Sequence, residues 1–70
     1  MARKFKFLRL PEVIQKIGIR RTAIYDRIGR GEFPKGIKLS GGRAIVWIEA
    51  DIEEWMEDQV QASKEAGAVG

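Results

Sequence analysis

Seven side chains between residues 20 and 30 carry most of the chemistry on offer: Arg20, Arg21, Thr22, Tyr25, Asp26, Arg27 and Arg30. The four guanidinium groups are planar, permanently charged donor forks that suit phosphate oxygens or the acceptor edge of guanine. The hydroxyl, phenol and carboxylate among them add donors and acceptors that can discriminate one hydrogen-bonding partner from another. Lys38 and Arg43 supply two further cations later in the chain. Histidine and cysteine are absent, which removes imidazole and thiolate catalysis and the usual zinc ligand sets. The acids of the last third match no calcium-loop spacing, and the pattern suggests no ligand pocket among them. The expectation is no enzyme, no metal and no cofactor.

Seventy residues allow one small domain, which at this size buries only about 60% of the surface its unfolded chain exposes. A composition of 44% hydrophobic and 33% charged residues belongs to a folded chain rather than a disordered one. The net charge of +3 hides an asymmetry: residues 1–47 hold twelve Lys/Arg against Glu12, Asp26 and Glu32, a net of +9, whereas residues 48–70 hold Lys64 against seven acids, a net of −6. A basic run by itself is usually a solvated face. Set among helix and turn signals, as here, it points to a surface for a polyanion. No stretch approaches the roughly 18 apolar residues of a membrane span. Met1 leads into Arg3-Lys4-Phe5-Lys6 without an apolar leader run, so the expected setting is cytoplasmic, without a membrane partner.

The elements that must position these side chains are readable from periodicity. Phe7 and Leu8 suit a short extended piece. Leu10-Pro11-Glu12 opens a helix, with Pro11 expected at the first helical position and Glu12 complementing the positive end. Val13, Ile14 and Ile17 form its apolar face, and Gly18 ends it. A second helix is expected from Arg20 or Arg21 to Arg30, with Ile24, Tyr25 and Ile28 as the buried stripe. Thr22, Asp26 and Arg30 fall opposite, flanked by Ala23 and Arg27. Gly29, Gly31 and Phe33-Pro34 close it. Ile37-Lys38-Leu39 and Arg43 to Ile48, joined through Ser40-Gly41-Gly42, read as a β-hairpin with a tight turn. Gly41-Gly42 lacks the following helix and Lys-Ser/Thr of a phosphate loop. A third helix starts near Glu49, with Ile48, Ile52, Trp55 and Met56 on one face and acids on the other. Trp47 and Trp55 read as core anchors. The expected boundaries are a basic lead over 1–6, a domain over 7–60 and a disordered tail over 61–70.

Helix, three-residue turn, helix, hairpin and closing helix is the order of a winged helix-turn-helix, a mainly α fold with a small β-hairpin. In it the second helix fills the major groove of double-stranded DNA and the hairpin, as a wing, reaches the flanking backbone or minor groove. Arg20 and Arg21 sit at the positive end of the second helix, where each cation costs about 0.3–1 kcal/mol. A phosphate at that end turns the cost into attraction. The alternative for both is that their stems only cover apolar surface. Tyr25 has a ring in the apolar stripe and a hydroxyl within phosphate reach, Asp26 either reads a base or pairs with Arg30 at i+4, and Arg27 is a base, phosphate or solvent-facing residue. Lys38 and Arg43 serve the wing, Arg43 suiting a phosphate or a narrow minor groove.

The stretch FLRLPEVIQKIGIRRTAIYDRIGRGEFPKGIKLSGGRAIVWIEADIEEWM, residues 7–56, resembles the AlpA-type phage and prophage regulatory proteins, with kinship to phage excisionases and the DNA-binding domain of MerR-type regulators. The resemblance rests on Leu8 to Val13, on Thr22 with Ile24 and Tyr25, on Gly31 with Phe33 to Lys35, on Gly42-Arg43, and on Trp47 and Trp55. Where that family often has a serine or threonine capping the second helix, this chain has Arg20. The resemblance implies a bacterial, nucleoid-associated DNA-binding regulator of mobile-element origin; because one short helix buries little area in a groove, the expectation is a monomer in solution that is cooperative on adjacent DNA sites. The resemblance equally allows an architectural excisionase that bends DNA, and the acidic, apolar third helix itself offers a further alternative, a protein-interaction module with integrase or RNA polymerase as the candidate partners.

Overall fold

The computed structural model describes residues 5–65. Its elements are β1 (Phe7–Leu8), α1 (Leu10–Ile17), α2 (Arg21–Gly29), β2 (Ile37–Lys38), β3 (Ile45–Ile48) and α3 (Glu49–Glu65). The fold is mainly helical, with a three-stranded antiparallel sheet in the order β1-β3-β2. The sheet exceeds the expected hairpin, because Phe7–Leu8 pair with Ile48 and Trp47.

α1 opens with the Arg9 backbone N–H donating to Glu12 Oε1 over 2.9 Å. Pro11 stands second in the helix rather than first, still within the turn whose N–H groups have no intrahelical acceptor. Gly18, at φ +73°, closes the helix with its N–H on the Ile14 carbonyl at 2.8 Å. Gly18–Arg20 then form the short turn into α2. α2 ends at Gly29 with Arg30 as its cap, and Gly31 follows, also left-handed at φ +74°, with its N–H on the Ile28 carbonyl at 3.0 Å.

The core gathers one or more side chains from nearly every element: Leu8, Val13, Ile24, Phe33, Trp47 and Ile52. Burial of each aliphatic member contributes about 1.5–3 kcal/mol. The pleat places Leu8 and Trp47 directly opposite each other, on the core side of the sheet. Trp47 is buried and its indole N–H donates to the Pro34 carbonyl at 2.9 Å, which fastens the segment after α2 to the sheet. Trp55 is half-buried; its N–H donates to the Glu32 carbonyl at 2.8 Å, and its ring meets Phe33 edge-on at 4.8 Å.

Three further sequence expectations change. The strands of the hairpin are short, and residues 39–44 connect them in a wider loop instead of a tight turn. The turn inside it has the Gly42 N–H on the Leu39 carbonyl at 3.1 Å, with Gly41 alone left-handed at φ +75°. α3 runs unbroken to Glu65, five residues past the expected domain boundary at 60. Residues 66–70 of the expected tail and residues 1–4 of the basic lead lie outside the described residues. Tyr25 leaves the buried stripe: it is 41% exposed, so the apolar packing of α2 rests on Ile24 and Ile28.

Candidate nucleic-acid interface

α2 begins without the acceptor that ordinarily covers a helix start. Its N-cap residue, Arg20, is extended at φ −74° and ψ 158°, makes no side-chain cap, and is followed by a first turn free of acids. The first bond of the helix runs from the Ile24 N–H to the Arg20 carbonyl at 2.9 Å, so the N–H groups ahead of it point out of the helix end. Arg20 and Arg21 are both exposed at that end. Helix dipole, free N–H groups and two guanidinium groups therefore share one positive corner, arranged for an anion.

From this corner two exposed ridges run down α2. On one, Arg21 lies over the Tyr25 ring, its Cζ 5.8 Å from the ring centre. This contact limits the guanidinium's freedom while leaving its donors in solvent. On the other, Thr22, Asp26 and Arg30 are exposed at successive turns, and Arg30 Nη2 pairs with Asp26 Oδ2 at 2.9 Å. Of the two sequence readings of Asp26, the pairing with Arg30 is the one present in the free protein. Arg27 departs from both ridges. It is half-buried, with its guanidinium 5.9 Å from the centre of the Trp55 ring, so it braces α2 against α3.

The remaining candidates lie on the hairpin. Lys38 in β2 and Arg43 in the 39–44 loop are exposed and form no ion pair among the described residues. Lys35, just before β2, is equally exposed, a cation to which sequence reasoning gave no role although it stands in the quoted Gly31–Lys35 motif. Behind these surfaces, Lys16 of α1 reaches Glu49 at 3.5 Å and Glu53 at 3.2 Å. That bridge sets the acidic helix against α1. Among the described residues no helix is long and apolar enough to cross a membrane.

Residues 6–60 match the family model described as prophage CP4-57 regulatory protein, AlpA. The chain belongs to the AlpA family. It is 37% identical over 59 residues to the uncharacterized protein ORF88 of Enterobacteria phage P4, covering 84% of this chain and 66% of that one. It is 40% identical over 60 residues to the protein named DNA-binding transcriptional activator AlpA from Escherichia coli K12, covering 77% of this chain and 84% of that one. No solved structure matches the chain. For an AlpA-family chain, the 6–60 match takes in all of α1, α2, the sheet and most of α3, so every candidate residue named above falls inside it.

Proposed function

We propose that this AlpA-family chain is a DNA-binding transcription regulator of prophage type, and that α2 is its recognition helix. The observation that carries the reading is the start of α2: uncapped, free of acids and topped by Arg20 and Arg21. The name of the Escherichia coli relative supports it. In this reading α2 lies in the major groove with its N-terminal corner on a phosphate, because that groove accepts one helix. Arg21, held by Tyr25, and Thr22 face base edges. Asp26 and Arg30 follow one and two turns later along the groove. Arg27 supports the helix through Trp55 instead of touching DNA. Lys38 and Arg43 act from the hairpin as a wing, meeting the flanking phosphates or the minor groove.

One short helix and a small wing bury modest area, so a lone molecule binds weakly and adjacent sites raise the affinity. With about four to six phosphates neutralised, log K falls against log salt with a slope near −4 to −5. The test is a footprint on the DNA surrounding the chain's own gene. A discrete protected segment near a promoter supports the reading; uniform protection, or none where the DNA is saturated, contradicts it.

A further inference from the structure

Two exposed features of the molecule have no part in the DNA reading, and their chemistry is complementary. The first is an open groove of about 510 Å³ between α3 and the segment leaving α2, with Phe33 and Trp55 at its floor. Around it stand Glu32, Asp51, Glu54 and Asp58, all exposed and, among the described residues, none in an ion pair. A phosphate backbone is repelled there. The indole at the floor already accepts a guanidinium from one side, that of Arg27. The second feature is the outer edge of β1. The order β1-β3-β2 leaves this edge without a partner strand among the described residues. Along it Phe5 is 55% and Phe7 46% exposed, and Lys6 and Arg9 are exposed without ion pairs among the described residues. An aromatic-basic strand edge of this kind is a surface that soluble domains ordinarily cover or blunt.

We propose that the groove of one copy receives the Phe5–Arg9 edge of a second copy, the aromatic rings against Phe33 and Trp55 and the cations among the four carboxylates. The same chain cannot fill its own groove this way. Its edge is fixed in the sheet by the Phe7–Ile48 and Leu8–Trp47 pairs and by the Glu49 N–H on the Lys6 carbonyl at 2.8 Å. Opposite signs on two different patches make the contact heterologous, so copies join head to tail and the free ends remain available. The contact is weak in free solution and gains from neighbouring molecules held side by side on one DNA.

Sedimentation of the full chain without DNA tests this contact separately from DNA binding. Wild type is expected to rise about twofold in weight-average mass once its concentration reaches the Kd of the contact, and a mass that stays monomeric up to about 1 mM overturns the proposal. Glu54→Lys with Asp58→Lys, and Lys6→Glu with Arg9→Glu, are each expected to stay monomeric alone, because each places like charges on both patches. Mixed in equal amounts, the two variants are expected to associate again. Association that persists in either variant alone, or that fails to return in the mixture of two folded variants, overturns the proposal. Phe5→Ser changes no charge and lies outside the strands; it is expected to reduce association, and unchanged association counts against the edge as the docking segment.

Discussion

The guanidinium of Arg21 lies 5.8 Å above the ring of Tyr25, one turn along α2, with both side chains exposed. Tyr25 thus serves Arg21 instead of the core. Tyr25→Ala is expected to leave thermal stability within about 0.5 kcal/mol of wild type but to weaken specific DNA binding about 2- to 5-fold, the equivalent of one exposed cation–π contact. Tyr25→Phe keeps the ring and is expected to lose less. Titration of a labelled duplex with the three proteins checks the order.

Asp26 holds Arg30 at 2.9 Å and puts a negative charge amid a cationic surface. Asp26→Asn releases Arg30 and removes a repulsion toward phosphates. Affinity for random-sequence DNA is expected to rise, and the slope of log K against log salt to steepen by about 1, the signature of one added phosphate contact. Salt titrations with a duplex lacking the specific site provide the measurement.

Much of this architecture is legible in the residues themselves. Apolar spacing marks all three helices, Gly18 marks the end of the first, and the glycines after Ser40 mark a turn, because these signals are local. What was not legible depends on partners far along the chain. Phe7–Leu8 become a strand only because Trp47–Ile48, some forty residues later, offer them a ladder. Tyr25 shares the helical phase of Ile24 and Ile28, yet it is exposed, with Arg21 of its own helix over its ring and no side chain of the buried core against it. Gln59–Glu65 stay helical without burying a large side chain, since helix-forming residues extend α3 by intrahelical bonds alone. In the candidate site, the cationic start of α2 was readable from charge and position. The diversion of Arg27 to Trp55 was not, because it is a contact between two helices whose packing no local pattern encodes.

Gly36 illustrates the same point and gives a stability test. It needs no unusual backbone angle, but a Cβ there would run into Ile45 Cγ2 and come within 3.2 Å of the buried Trp47 ring. Neither neighbour has a flexible end to swing aside. Gly36→Ala is expected to destabilise the fold by about 1–3 kcal/mol, read as a lowered midpoint in urea with the slope unchanged. A neutral result shows that the sheet and the 33–36 segment are less tightly packed than described here.

Lys16 provides a pH test. Its hydrogen bond to Glu53 raises its pKa above the ordinary value of 10.5; partial burial opposes this, and the charges of Glu49 and Glu53 add to it. The folded state therefore holds the proton more tightly than the unfolded one. The resulting stabilisation is fully present below the ordinary value and is lost as pH climbs through the raised one. With the ammonium exposed the effect is small. Melting temperature is expected to fall above about pH 10 in wild type, and Lys16→Met to show a shallower fall over the same range; equal falls contradict the α1–α3 bridge.

The central claim is that the start of α2 reads DNA while the hairpin only holds it. It is tested most directly by the ratio of Kd values for nonspecific and specific duplexes, measured at one salt concentration for wild type, Arg21→Ala, Thr22→Ala and Arg43→Ala. The expected result is a ratio lowered by about 1–3 kcal/mol, roughly 5- to 150-fold, in Arg21→Ala, and lowered to a lesser degree in Thr22→Ala. Arg43→Ala should weaken both duplexes almost equally. A ratio that stays at the wild-type value in both Arg21→Ala and Thr22→Ala contradicts the account.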